Sequence, residues 1–124
     1  MINFGRGCIY TTAPSPAVME RNYALWQILP SFAQERAYLQ DLGRFARNVL
    51  EPFHTRESSA HILPLKIDSV KKALEIQEKL LQSDIAVSCV RPPSIPSSIL
   101  RLGLTIDHTK ENILELKDQL EELI

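Results

Sequence analysis

Arg101 sits within Leu100-Arg101-Leu102-Gly103-Leu104-Thr105-Ile106, where apolar and polar residues alternate. A period of two is the signature of a β-strand. It predicts Leu100, Leu102, Leu104 and Ile106 on one side, with Arg101, Gly103 and Thr105 on the other. A guanidinium on the open face of a sheet, beside a glycine that leaves room, can grip a carboxylate through two parallel hydrogen bonds. From spacing alone the plainer reading, a surface arginine on an edge strand, is favoured. Upstream, Arg91-Pro92-Pro93-Ser94-Ile95-Pro96 carries proline at three of six positions. Fixed φ and missing donors predict a rigid, extended segment and exclude a helix there.

No self-contained catalytic constellation accompanies these residues. The sequence has no Gly-rich phosphate loop, HExxH, CxxC or GxSxG. His54, His61 and His108 lack metal-ligand spacing. His108 stands just before the last helix, where local hydrogen bonding at the cap is its expected role. Cys8 and Cys89 suit small core or near-core positions in a reducing compartment. A net charge of −1 without a basic stripe argues against a nucleic-acid surface. Apolar runs fall far short of the ~20 residues a bilayer span needs, and the first residues lack the apolar core of a signal peptide. With 44% hydrophobic residues in 124, the chain reads as a cytoplasmic globular domain or a fragment of a larger one.

The elements that must position Arg101 follow from caps and periodicity. Cys8 to Ala13 reads as extended, ending at Pro14. Ser15 and Pro16 make a helix start. Val18, Leu25 and Leu29, beside Trp26, give that helix an apolar face. Pro30 should interrupt it, and Ser31 can cap a continuation through Phe32, Leu39, Leu42, Phe45, Val49 and Leu50. Glu51 to Ala60 is polar and loop-like. Ile62 to Ile67 alternates as a strand, with Pro64 pushing it toward an edge. Asp68 can cap a helix carrying Val70, Ala73, Leu74, Leu80 and Leu81. Ile85 to Val90 and Leu100 to Ile106 are further strands. Thr109 caps a last helix seamed by Ile113, Leu116, Leu120 and Leu123, with Glu111 in its first turn. The expected fold is α/β in composition: a helical connector, then an α+β layer with a small, mainly antiparallel three-stranded sheet and helices on one face.

The Arg91-Pro92-Pro93-Ser94-x-Pro96 string, the strand with central Arg101, and His108-Thr109 resemble the C-terminal part of the α-oxoamine synthases, specifically the 8-amino-7-oxononanoate synthase branch. A second match, Ile9-Tyr10-Thr11-Thr12-Ala13-Pro14-Ser15-Pro16-Ala17, is similar to the family's segment at the end of its large domain. The resemblance covers nearly the whole chain. It implies the small domain of a fold-type I pyridoxal-phosphate (PLP) enzyme, with residues 1–14 ending a large PLP-binding domain, 15–52 a helical connector and 53–124 the small domain. It implies an acyltransferase that joins L-alanine and a pimeloyl thioester in biotin biosynthesis, as a homodimer.

By the same resemblance, Thr11 and Thr12 reach the cofactor phosphate across the dimer interface. Arg101 holds the substrate carboxylate, and Ser94 lines the substrate channel. Matching Arg101 requires the Ser97-Ser98 loop to be about two residues shorter than the family's. A gapless match from Arg91 would instead put Gly103 at the arginine position. The family's Schiff-base lysine lies upstream of the matched segment, and none of this chain's lysines occupies its position. No catalytic residue and no metal are therefore expected within the chain, which should bind no cofactor and be inactive alone, needing the large domain or a second copy as partner. A non-catalytic α+β interaction or regulatory module, or another branch such as 2-amino-3-ketobutyrate CoA ligase, is the alternative.

Overall fold

The computed structural model describes residues 12–53 and 60–124. The chain divides into two compact units, Met1–Ala33 and Gln34–Ile124.

In the first unit, helix α1 spans Pro16–Ile28. The Ser15 hydroxyl accepts from the Val18 N–H and Pro16 takes the first turn, where no donor is needed. Pro30 then forces the tighter 3₁₀ turn Leu29–Phe32. Ser31 does not cap a second helix. Its hydroxyl donates back to the Ile28 carbonyl at 2.6 Å, which gives that carbonyl a donor near the break made by the missing proline N–H. Thr12 and Ala13 lie in no regular element, and the rest of the expected Cys8–Ala13 strand lies outside the described residues.

The second unit is built on a three-stranded antiparallel sheet. Helix α2 (Ala33–Val49) leads through a 3₁₀ turn (Glu51–Phe53) toward β1 (Ile62–Lys66). Helix α3 (Val70–Gln82), β2 (Ser88–Val90), β3 (Ile99–Gly103) and helix α4 (Lys110–Leu123) complete it. The spatial order is β1-β3-β2, so β3 is central and not an edge. Pairing sets Pro64 and Ser88 on either side of Arg101, and Leu65 and Cys89 on either side of Leu100.

One face of the sheet is dry. Leu63, Leu65 and Leu100 are fully buried and Leu102 nearly so. They pack with Leu42, Ala46 and Leu50 of α2 and its end, Ala73, Ile76 and Leu80 of α3, and Ile113, Leu116 and Leu120 of α4 in one core. The helical period supplies these triplets and the strand period supplies the leucines. The expected antiparallel sheet with helices on one face is therefore what forms.

Several boundaries differ from the sequence expectation, each for a physical reason. Ser69, not Asp68, caps α3, its hydroxyl accepting from the Lys72 N–H at 3.1 Å. β2 begins at Ser88 because the preceding residues are engaged elsewhere. The Ile85 N–H donates to the Leu80 carbonyl at 2.8 Å, closing α3, and the Gln77 side chain donates to the Val87 carbonyl at 2.8 Å. β3 ends at Gly103, and Ile106, expected on the buried side, is half exposed. The chain turns there because His108 Nδ1 accepts from the Thr105 N–H at 2.9 Å. Phe45 is partly buried against the core, with Lys110 Nζ 5.3 Å from its ring centroid.

Candidate functional site

Arg101 projects from the open face of the central strand. Its neighbours Leu100 and Leu102 are in the core, so the pleat leaves it no other direction. Pro64 and Ser88 stand beside it across the two ladders. Gly103 shares the face, and a β-carbon added there would meet nothing within 4 Å. The open space beside the guanidinium that the alternation predicted is thus present. Among the described residues Arg101 makes no ion pair. A guanidinium with its donors unspent can bind a carboxylate from outside the fold.

The Pro-rich segment is not extended. Residues 92–97 turn and bend, with the Ser94 N–H donating to the Arg91 carbonyl at 3.1 Å. Pro92–Pro93 is a cis peptide. The segment connects β2 back to β3 as a compact loop, and the buried Ser98 anchors it, its carbonyl accepting from the Ile67 N–H at 3.1 Å. Ser94 is exposed on this loop. The loop leaves β2 at Val90 and returns to β3 at Ile99, while Arg101 pairs with Ser88 further along the ladder.

His108 does what its position before α4 suggested. Nδ1 accepts from the Thr105 N–H, so its ring proton sits on Nε2 when the imidazole is neutral. Tyr38 Oη donates to the His108 carbonyl at 2.7 Å, tying this turn to α2. The Thr109 hydroxyl accepts from the Asn112 N–H, and the Asn112 side chain accepts from the Thr109 N–H at 2.9 Å, a reciprocal cap. Sequence reasoning missed Tyr38 and Ser88 at these places, because long-range pairing carries no local signal.

A cavity of about 490 Å³ opens between Ser83–Val87, the end of β3 and α4. Asp84, His108 and Glu115 are among the residues that line it. Arg101 does not line it, so it is separate from the sheet face that carries Arg101. A smaller one of about 280 Å³ runs along α3, where Lys71, Lys72 and Lys79 mix with Glu75. Among the described residues no three metal-ligating side chains gather, and no helix is long and apolar enough to cross a membrane.

Thr12 is exposed just ahead of α1. Thr11 lies outside the described residues, so the pair is represented by one hydroxyl. That hydroxyl is a usable phosphate donor, and Arg101 a usable carboxylate ligand. The described lysines are exposed or half-exposed, and the Lys117 amine is held above its ordinary value by its hydrogen bond to Glu121. A Schiff-base lysine needs the opposite, a desolvated amine of depressed pKa. None of the described lysines has that desolvated setting.

No protein-family model matches the chain. It is 35% identical to 8-amino-7-oxononanoate synthase of Cellvibrio japonicus across 100% of its own length and 32% of that protein. The relation is to the C-terminal part. Among solved structures, 8-amino-7-oxononanoate synthase from Francisella tularensis superposes with a TM-score of 0.76 at 27% identity, over 98% of this chain and 36% of that one. This chain belongs with the C-terminal part of the α-oxoamine synthases, most like 8-amino-7-oxononanoate synthase. A serine palmitoyltransferase variant from S. paucimobilis, solved with a bound PLP–myriocin aldimine, shares the fold at a TM-score of 0.77 and 21% identity, over 95% of this chain and 31% of its own. The chain thus spans about a third of the length of the synthases it matches. Within that relationship the helices and small antiparallel sheet match the fold of fold-type I PLP enzymes.

Proposed function

We propose that this chain is the carboxylate-binding C-terminal part of a cytoplasmic PLP-dependent acyltransferase of biotin biosynthesis. The assembled enzyme joins L-alanine to a pimeloyl thioester, releasing carbon dioxide and the thiol and giving 8-amino-7-oxononanoate. Residues 1–14 end the large PLP-binding domain, 15–52 form the connector and 53–124 the small domain. The large domain supplies the Schiff-base lysine, and the working unit is a dimer.

One observation carries this reading: Arg101 stands unpaired among the described residues on an open sheet face, beside the space over Gly103. Within the assembled site its fork holds the amino-acid carboxylate and so fixes the α-carbon's orientation. Thr11 and Thr12 donate to the cofactor phosphate across the dimer interface, and the Ser94 hydroxyl lines the channel. When bound, PLP serves as the electron sink for the α-carbon.

The test supplies the PLP-binding portion of an 8-amino-7-oxononanoate synthase as a separate polypeptide. Alanine-dependent thiol release that requires this chain, and falls with Arg101→Ala, supports the proposal. A stable, folded pair without activity would favour a non-catalytic interaction module of the same ancestry.

A further inference from the structure

Arg101 is not the only cation on its face of the sheet. β1 alternates so that Leu63 and Leu65 enter the core while Lys66 shares the outward side with Pro64. Lys66 pairs with Ile99, two residues along β3 from Arg101. The two cations are therefore diagonal neighbours, residues roughly 7–8 Å apart with β-carbons somewhat closer. Neither makes an ion pair among the described residues, and the three strands contain no Asp or Glu. Between and beside them the face is half-buried and apolar, through Ile62, Val90 and Ile99.

A lysine on an edge strand often serves only to deter pairing with another sheet. Here the second cation, the absence of any strand carboxylate and the apolar floor between the charges point further. We infer that Lys66 and Arg101 form a two-point site for a short aliphatic chain bearing a carboxylate at each end. Arg101 takes one carboxylate in bidentate fashion, Lys66 takes the other as a point charge, and the methylenes lie along the apolar floor. This rests on the carboxylate-binding role of Arg101 and adds a specificity-determining residue to it.

The experiment titrates the full 124-residue chain with heptanedioate and, separately, with hexanoate, following the amide signals of Ser88 and Gly103 by NMR. Heptanedioate should bind roughly fivefold more tightly than hexanoate, the yield of one added solvent-exposed charge contact. A heptanedioate monothioester, with one end masked, should bind like hexanoate, which separates recognition of two carboxylates from recognition of chain length. Lys66→Met and Lys66→Gln should each erase the preference, and Arg101→Gln should weaken both acids. Amide dispersion identifies any variant that has unfolded, and the two Lys66 substitutions check each other. Equal affinities in the native chain, absence of binding, or a preference that survives both Lys66 substitutions would overturn the two-point site. The first and last of these leave the Arg101 reading standing. Indifference of both acids to Arg101→Gln would instead overturn that reading.

Discussion

Ser88 pairs directly with Arg101 across the β2–β3 ladder, putting a small hydroxyl beside the guanidinium on the open side of the sheet. A bulky residue at 88 would crowd the space that Gly103 leaves on the other flank. Position 101 is thereby both rigid in backbone and accessible in side chain, the combination a ligand-orienting arginine requires.

Arg101→Ala, assayed in the reconstituted enzyme, should lower kcat/KM for the amino acid roughly a hundredfold, about 3 kcal/mol of lost charge-assisted contact. Arg101→Lys should recover only part of it, since an ammonium lacks the planar fork. The melting temperature should hardly move, because the core face of β3 is carried by Leu100 and Leu102. Unchanged alanine affinity would remove the carboxylate assignment.

Leu100→Ala should behave in the opposite way. Leu100 is fully buried between Leu65 and Cys89 in the register. The cavity should cost about 3 kcal/mol of stability, measured by denaturant unfolding. A loss below about 1 kcal/mol would mean that the sheet and helices are not packed as described.

Asp84 is a stabilisation target. It has φ 60°, the left-handed region, at the end of α3. Its N–H donates to the Leu81 carbonyl at 3.1 Å and the Ile85 N–H to the Leu80 carbonyl at 2.8 Å, the paired bonds of a helix stop that glycine usually occupies. The aspartate adds a negative charge at the negative end of the helix. Asp84→Gly should raise stability by about 0.5–1 kcal/mol. A destabilised variant would show that the Asp84 carboxylate has a compensating partner.

Stability should fall in acid partly through α4. Glu111 is held below the ordinary carboxylate value by a hydrogen bond with its own backbone N–H and then one with the Thr109 hydroxyl. A lowered folded-state pKa contributes stability that is present above the unfolded value and lost as pH falls through the folded one. Lys117 has the reverse sign: its contribution is present below the ordinary ammonium value and lost as pH rises past its raised pKa. Thr109→Ala should cost about 1 kcal/mol at neutral pH by removing the cap, and should flatten the acid limb of the unfolding profile. An unaltered acid limb would assign the Glu111 shift to its backbone bond alone.

Exposed apolar residues on α1 and the turn after it should make the isolated chain self-associate or bind hydrophobic dyes. Trp26 is 72% and Tyr23 67% exposed, with Ile28 and Phe32 also open. Trp26→Glu should reduce both effects, read by light scattering and dye fluorescence. A monomer at high concentration without dye binding would contradict the expectation. Phe45 does not belong to this group, since it packs on the core.

Much of the second unit was determined by sequence alone. The alternation around Leu63 and Leu65 and around Leu100 and Leu102 assigned the buried face of each strand, and the period of α4 assigned Ile113, Leu116 and Leu120 to the core. Ser15 and Thr109 as caps are local chemistry, settled within a few residues. Tertiary structure decided what depends on distant partners. Gln77 engages the Val87 carbonyl and shortens β2, His108 turns the chain before Ile106 can enter the core, and α2 joins the sheet's core through Leu42, Ala46 and Leu50. Above all, the central place of β3 comes from the pairing order, because hydrogen bonds between strands far apart in sequence leave no period in either. The pattern of leucines could turn Arg101 outward, but only the pairing could set Pro64, Ser88 and Lys66 around it.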